Sequence, residues 1–523
     1  MGHPRRAEET RGDVHKLRAC QKPTSVPWDP LPYQKTVVKY LLQHANAGIL
    51  LDPGGRKTSC TLAALKILLG KGMLHKVLII APVRACYSVW PSEVEKWADF
   101  NSLTYEILHG PKKDEALRRD AQLYFINPDG LDWLLKTVKT KYEVKARNKF
   151  TGEINEHSKR TKIEVDIKAF KALGFDALVI DEVHQFKHQS SQRFKALSPV
   201  LDTFQYRWGL TGSPTANGLM DLFGQCYVLD LGRTLGPYIT HYRAKYFVPD
   251  AKGIVWKLGK DMAPLIYERI APLMLRLDPT QYLDLPELVP VDVFVELPKE
   301  ARRVYDELEH DLISGIENQV IVASNAGSAA IKCRQVASGG VFHTAPLIAG
   351  QPKGKREWTN LHEEKTKTLL ELVEELQGSP LLVAYDFEHD LDRLRRTFNK
   401  KDYPGAVFAC DVPMSKFKAM ERAWNDGEIQ LLFGHPQSLS MSINLQESGN
   451  HVAWYTLIHD YMLYDQFNRR VLRSGNKHKR VFVHHIIARN TVDDLIILPN
   501  LKRKETGQRA FFTALQELAG LRR

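Results

Sequence analysis

Lys57 and Thr58 close a glycine-rich turn that reads Leu51-Asp52-Pro53-Gly54-Gly55-Arg56-Lys57-Thr58-Ser59, and Asp181-Glu182 follow the apolar run Ala177-Leu178-Val179-Ile180 far downstream. An ammonium and a hydroxyl beside backbone N–H groups are the donors a phosphate chain needs. Adjacent carboxylates can hold a hard divalent cation and polarise a water. Together they are the minimum kit for hydrolysing a nucleoside triphosphate: Gly54 to Ser59 cradling phosphates, Lys57 reaching the β and γ phosphates, Thr58 and Asp181 holding Mg²⁺, and Glu182 acting on water. Arg56 stands where a glycine is expected. If the loop is left-handed there, the side chain costs roughly 1–2 kcal/mol, unless neighbouring Gly55 takes the turn. Arg56 could also add a phosphate contact. Leu210-Thr211-Gly212-Ser213-Pro214 is a polar turn after an apolar strand; it is either a simple loop or a place where hydroxyls couple the nucleotide site to movement. Arg470 and Arg473 lie three apart, on one face of a helix. Such a pair is ordinarily a solvated or polyanion-binding face, but facing a γ-phosphate it stabilises transition-state charge.

These groups need rigid elements behind them. From about residue 29 to 235, short apolar runs alternate with amphipathic stretches: Gly48 to Leu51, Val77 to Pro82, Gln122 to Ile126 and Leu178 to Ile180 read as strands, Thr61 to Leu69 and Val89 to Trp97 as helices. Buried strands alternating with helices imply a mostly parallel sheet, and a carboxylate at such a strand's C-terminal end faces the ligand crevice. A second α/β unit over 356–500 repeats the pattern, with strands at Leu381 to Tyr385, Ile429 to Phe433, Val452 to Leu457 and Val481 to Ile487. Between the two, residues 236–355 lack the alternation and read as helical connecting material, including the Gly/Ser-rich stretch Ser324 to Ser328. Residues 1–28 read as a loose basic arm. The Lys-rich insertion 136–171 reads as a solvated hairpin or loop, or as a DNA-contacting arm, and residues 501–523 as a basic, mainly solvated helix.

The 523 residues exceed one core and imply several domains. A formal charge of +12 favours a polyanionic partner such as nucleic acid. The six scattered cysteines form no C-x-x-C pair, which argues for a reducing compartment and against structural zinc. No apolar run is long enough for a membrane span, and the polar, basic N-terminus lacks a signal core, so a cytoplasmic protein is expected.

In series, these motifs resemble the Swi/Snf-type ATPases of helicase superfamily 2, particularly compact bacteriophage-type members. Leu31-Pro32-Tyr33-Gln34 is similar to the family's adenine-reading segment, with Gln34 the adenine contact. Asp52 to Ser59 matches motif I, and Ile80-Ala81-Pro82 with Trp90, Glu93 and Trp97 is similar to motif Ia. Asp181 to His184 matches motif II, and Leu210 to Pro214 with Asn217 and Asp221 resembles motif III. Ser442 to Gln446 sits where motif V lies, with serines Ser440 and Ser442 in place of glycines. Gln466, Arg470, Arg473 and Gly475 fit motif VI, which ends here in Asn476. The resemblance implies an α/β fold of two RecA-like lobes, each a mostly parallel sheet flanked by helices, joined by a helical connecting region. It implies ATP and Mg²⁺ in the cleft, Arg470 and Arg473 entering from the second lobe, and His184, Thr211, Ser213 and Gln466 coupling hydrolysis to motion. The implied activity is a DNA-dependent ATPase that translocates along or remodels duplex or branched DNA in the cytoplasm of a host cell, with replication or recombination proteins as candidate partners. Two alternatives remain at this point: a strand-separating or branch-migrating helicase, and a catalytically inactive DNA-binding module.

Overall fold

In the computed structural model, residues 25–147, 154–216, 218–250, 255–277, 284–317, 323–343, 357–413, 416–439 and 443–520 are described. Most of the N-terminal arm, together with Asn217, Ser440 and Ser442, lies outside them. The strands, in chain order, are β1 (Asn46–Leu50), β2 (Val77–Ile80), β3 (Tyr105–Ile107), β4 (Leu123–Ile126), β5 (Val138–Arg147), β6 (Ile154–Glu164), β7 (Ala177–Asp181), β8 (Tyr206–Thr211), β9 (Phe247–Pro249), β10 (Trp256–Leu258), β11 (Met274–Arg276), β12 (Glu287–Val295), β13 (Gly340–Phe342), β14 (Trp358–Asn360), β15 (Leu381–Ala384), β16 (Ala406–Phe408), β17 (Leu431–Gly434), β18 (His451–Trp454) and β19 (Arg480–Ala488).

Thirteen of them form two parallel sheets, one in each of two RecA-like lobes, and β5–β6, β9–β10 and β13–β14 form separate antiparallel pairs. The first parallel sheet has the order β11-β1-β8-β7-β2-β4-β3 and the second β12-β19-β18-β15-β17-β16. Every pairing within both sheets is parallel. The central strands are apolar on both faces because helices cover both. In β2, Val77 and Ile79 enter one core while Leu78 and Ile80 enter the other, and β7 divides Ala177 and Val179 from Leu178 and Ile180 in the same way. Crossover helices such as Lys57–Gly70 begin where a strand's C-terminal end releases the chain. All the strand-end loops of a lobe therefore emerge on one side.

Two readings of the sequence are modified, those of region 236–355 and of the C-terminal helix, while the insertion takes the hairpin form. The region 236–355 is not only helical: β11 pairs with β1 at Gly48↔Met274, and β12 pairs with β19 along nine residues from Glu287↔Arg480 to Val295↔Ala488. It thus supplies an edge strand to each lobe. Edge strands added from a linker carry no crossover helix of their own, which hid them from an alternation-based reading. Ser324 to Ser328 lies inside the helix Ala323–Ser338. The insertion forms an antiparallel hairpin of β5 and β6, with Val138 opposite Glu164. The C-terminal helix Leu498–Gly520 is not a solvated tail: Leu498 and Leu501 belong to the second lobe's core, whereas Phe511, Phe512 and Leu515 are buried in a core of the first. No helix among the described residues is long and apolar enough to cross a membrane.

Candidate functional site

The turn after β1 combines two departures from ordinary backbone. Gly54 has φ +87° and Arg56 has φ +50°, so the left-handed position falls on Arg56 itself and Gly55 does not absorb it. Gly55 is required for another reason: a Cβ there would come within 2.9 Å of the Asp52 carbonyl oxygen and 3.0 Å of Leu51 Cβ. Arg56 carries the steric penalty of an αL side chain and immediately precedes the helix Lys57–Gly70, whose first residues Lys57, Thr58 and Ser59 line the cleft. Its side chain is exposed and lines the cavity. Lys57 Nζ donates to the Leu51 carbonyl at 2.9 Å and the Asp52 carbonyl at 3.4 Å. Burial lowers the Lys57 pKa, while Glu182 and Asp181 act to raise it.

β7 delivers the acid pair. Trp90 Nε1 donates to Asp181 Oδ2 at 3.2 Å. Glu182 sits at φ +61° and turns its carboxylate back toward His184, whose Nδ1 is 3.1 Å from Glu182 Oε2. The environments push the two acids apart. Burial, with the charge of Glu182 beside it, raises the Asp181 pKa, whereas burial of Glu182 is outweighed by His184, Lys57 and Arg470, which hold it ionised. His184 Nδ1 also lies 3.2 Å from Thr211 Oγ1, which accepts from the Ser213 N–H at 3.2 Å.

The other wall comes from the second lobe, where the helix Tyr461–Asn468 leads into Arg469, Arg470 and Arg473. Arg470 is held by the carbonyls of Gln466 at 2.9 Å and Ile443 at 3.2 Å, and Arg473 by the Arg469 carbonyl at 2.9 Å and by Asn444. Burial lowers the pKa of both; Arg473 comes down to about 10 and is still cationic at neutral pH. The two adjoining cavities share these walls. One, of ≈ 380 Å³, is lined by Gly54, Arg56, Lys57, Thr58, Arg470 and Arg473. The second, of ≈ 420 Å³, adds Asp181, Glu182, His184 and Gln466 to Lys57 and the same two arginines.

Most of the residues singled out from the sequence therefore meet in one inter-lobe cleft. Gly55 is buried within the turn, and Gln34, Thr211 and Ser213 do not line the cleft either. Gln34 is fully buried behind the loop: its carboxamide oxygen accepts from the Leu31 N–H at 2.9 Å and its nitrogen donates to Ser59 Oγ at 3.4 Å. Thr211 and Ser213 are buried under the motif III turn, where Ser213 Oγ donates to Asp465 Oδ2 across the lobes at 3.2 Å.

The sequence reading gave no individual role to several residues that hold this arrangement together. Asp52 bridges Arg276 Nη2 at 2.9 Å and Arg469 Nη1 at 3.3 Å, and Arg469 is paired with Asp465 at 2.8 Å. Burial of Asp52 is outweighed by Arg469 and Arg276, which hold its carboxyl below the usual range. Arg84 spans the lobes to the Ser438 carbonyl at 2.5 Å and stacks over Phe417. The i,i+4 spacing of Asp465 and Arg469 was a visible signal; nothing local could have tied Asp52 to a residue 224 positions away.

With the geometry in view, the chain is similar to several known proteins. The SNF2-related domain model matches residues 33–338, which is more than half of the chain. The putative protein p41 of Acyrthosiphon pisum secondary endosymbiont phage 1 is 29% identical over 491 residues, covering 90% of this chain and 95% of that protein. An uncharacterized ATP-dependent helicase, MG018, of Mycoplasma genitalium is 23% identical over 344 residues, covering 65% of this chain and 31% of that protein. Among solved structures, the Sulfolobus solfataricus SWI2/SNF2 ATPase core in complex with dsDNA aligns with 94% of this chain and 97% of its own, at 18% identity and a TM-score of 0.41.

Proposed function

The chain belongs to the SNF2-related family and is an ATP-hydrolysing enzyme of helicase superfamily 2, and from that premise we propose that it is a DNA-dependent ATPase whose hydrolysis cycle drives translocation along DNA or remodelling of what is bound to it. The observation that carries this reading is the shared cleft: Lys57, Asp181 and Glu182 from one lobe face Arg470 and Arg473 from the other. The formal charge of +12 fits a polyanionic track, which a translocase grips through phosphates.

Each residue has a role that follows from its surroundings. The N–H groups at the start of the helix Lys57–Gly70, with Thr58 and Ser59, receive the phosphates. Lys57 leaves the Leu51 and Asp52 carbonyls to neutralise the β and γ phosphates, a better partner for an ammonium held among carboxylates. Gln34 is assigned to the adenine side, bracing the loop helix through Ser59. Thr58 and Asp181 offer hard oxygen donors, and the raised pKa of Asp181 beside Glu182 marks a place where a divalent cation would relieve repulsion, so the residues fit Mg²⁺. When bound, Mg²⁺ neutralises phosphate charge. Glu182, kept ionised by His184, accepts a proton from the attacking water. Arg470 and Arg473 stabilise charge as the γ-phosphoryl group departs.

The path of close contacts Glu182–His184–Thr211–Ser213–Asp465, an ion-pair contact followed by hydrogen bonds, supports coupling between chemistry and lobe movement. It runs from the proton acceptor to the helix Tyr461–Asn468, just ahead of the turn that holds Arg470 and Arg473, so a change at either end is felt at the other. Gln466, which lines the cleft one residue after Asp465, joins it from the lobe 2 side.

Steady-state ATP hydrolysis, alone and with duplex, single-stranded and forked DNA, tests the reading beside a Glu182→Gln control. Duplex should stimulate the wild type, and Glu182→Gln should lose turnover by roughly 10²–10⁴-fold while retaining DNA binding. Hydrolysis in Glu182→Gln equal to wild type would remove the assignment of the base. DNA-independent turnover would remove the motor reading.

A further inference from the structure

Arg276 ends β11, the edge strand of the first lobe, and is buried. Its Nη1 donates to the Leu50 carbonyl at 3.0 Å and its Nη2 to Asp52 Oδ2 at 2.9 Å. Those two acceptors flank Leu51, whose carbonyl holds Lys57 Nζ. One guanidinium thus grips the chain on both sides of the peptide where the phosphate loop leaves β1. Its third donor, Nε, has no hydrogen-bond partner among the described residues. What fixes the remaining face of the guanidinium plane is an aromatic ring: Phe512 of the C-terminal helix, with the guanidinium carbon 3.8 Å from the ring centroid. A desolvated, stacked arrangement of this kind is strong and directional, because the planar cation keeps its in-plane donors free while its face meets the ring.

The helix that supplies Phe512 is rooted in the other lobe. Lys502 pairs with Asp292 of β12 at 2.8 Å, and Lys504 donates to the His459 carbonyl at 3.0 Å. Two to three turns later, Phe511 and Leu515 are seated in the first lobe's core with Met274. The second oxygen of Asp52 meanwhile faces Arg469 of the second lobe. Asp52 is therefore steadied from both lobes, by Arg469 directly and by the C-terminal helix through Phe512 and Arg276.

We infer that Arg276 is a positioning residue for the phosphate loop and that Phe512 holds it in register, so that the seating of the C-terminal helix on the first lobe sets the affinity for ATP. The inference rests on the reading of residues 52–59 as the phosphate-binding loop. It assigns a role to the last helix that its basic composition does not suggest, since the working residue is aromatic rather than one of its lysines or arginines.

The test uses the full chain with Phe512→Leu, Phe512→Tyr and Arg276→Lys, and Lys57→Ala as the control. ATP KM and kcat are measured with saturating duplex DNA, together with the Kd for a fluorescent ATP analogue and the melting temperature. Phe512→Leu keeps the apolar seat and removes the π face; its KM and Kd should rise roughly three- to tenfold with kcat within about twofold. Phe512→Tyr should restore wild-type affinity, and Arg276→Lys, which keeps the charge but loses the two-point grip, should weaken binding at least as much as Phe512→Leu. A Phe512→Leu protein with a lower melting temperature but wild-type KM and Kd would mean that the helix only packs, and the inference would fall. Wild-type KM in Arg276→Lys would overturn it as well. If the wild type bound nucleotide no better than Lys57→Ala, the phosphate-loop reading would fall first and this inference with it.

Discussion

The two lobes share an architecture and differ at the place where it matters. In the first, β1 ends in a loop that faces the cleft: Arg56 and Gly54 hold the backbone in left-handed turns, and Lys57 donates to two nearby carbonyls. In the second, the loop after β15 is closed on itself. Asp390, fully buried, accepts from the Phe387 N–H at 3.1 Å, Arg393 at 2.9 Å, Ser338 at 2.6 Å and Thr456 at 2.7 Å. Burial of Asp390 is outweighed by His389 and Arg393, which hold it far below the usual carboxylate range. One strand end therefore presents Lys57 and a left-handed turn to the cleft, while the other commits its polar groups to its own core. The second lobe contributes to chemistry only from its rim, through Arg470 and Arg473. A parallel sheet makes both outcomes available, and the side chains after the strand choose between them.

Removing the rim contribution should have the largest effect. Arg470→Ala should lower kcat by roughly 10³-fold or more and leave the fold intact by circular dichroism; a small loss, comparable to that of a surface arginine, would mean that the second lobe does not enter the chemistry. Acid should then separate the lobes. His362 donates from Nε2 to the Val336 carbonyl at 2.8 Å and accepts from the Glu364 N–H on Nδ1 at 3.4 Å, and His484 meets His451 at 3.1 Å. Burial lowers the pKa of His362 and His484 to about 4, with Arg393 and His451 respectively adding to the effect. Both would be protonated more readily unfolded, near pH 6.5. Their contribution is therefore complete above about 6.5 and lost as pH falls toward 4, at up to ~3 kcal/mol for each. Urea melts followed by hydrogen exchange should show the second lobe opening first below about pH 5.5; first-lobe opening at the same acid midpoint would contradict the contrast. The smallest effect belongs to Arg56. Arg56→Gly relieves a left-handed side chain but loosens the unfolded chain, so the net gain should be about 0.5–1 kcal/mol, read as a slightly higher melting temperature. A decrease would show that the arginine makes contacts that outweigh its backbone strain.

The fold class was legible because continuous apolar runs of four or five residues, separated by amphipathic helices, have few other solutions than a parallel α/β sheet. The order of chemical motifs added the second lobe. Edge strands β11 and β12 escaped that reading because their partners, β1 and β19, are about two hundred residues away in sequence, and a linker strand carries no local sign of which sheet will take it. The C-terminal helix was misjudged for a similar reason. Its lysines and arginines dominate the composition, while the residues that dock it, Phe511, Phe512 and Leu515, are few and find their seat on the distant lobe.

By itself, the sequence determined the chemical inventory: a phosphate turn with an arginine before Lys57, an acid pair at a strand end, two arginines three apart, and the strand–helix alternation that puts loop ends on one side. These are properties of neighbours in the chain, and short-range sterics and periodicity are enough to express them. Tertiary structure alone decided which groups meet. It placed the left-handed backbone on Arg56 rather than Gly55, closed the Asp465–Arg469–Asp52–Arg276 chain across the cleft, and laid Phe512 on a guanidinium. Ion pairs and stacked rings between distant residues depend on how two lobes and a helix pack together, and no local pattern encodes that packing.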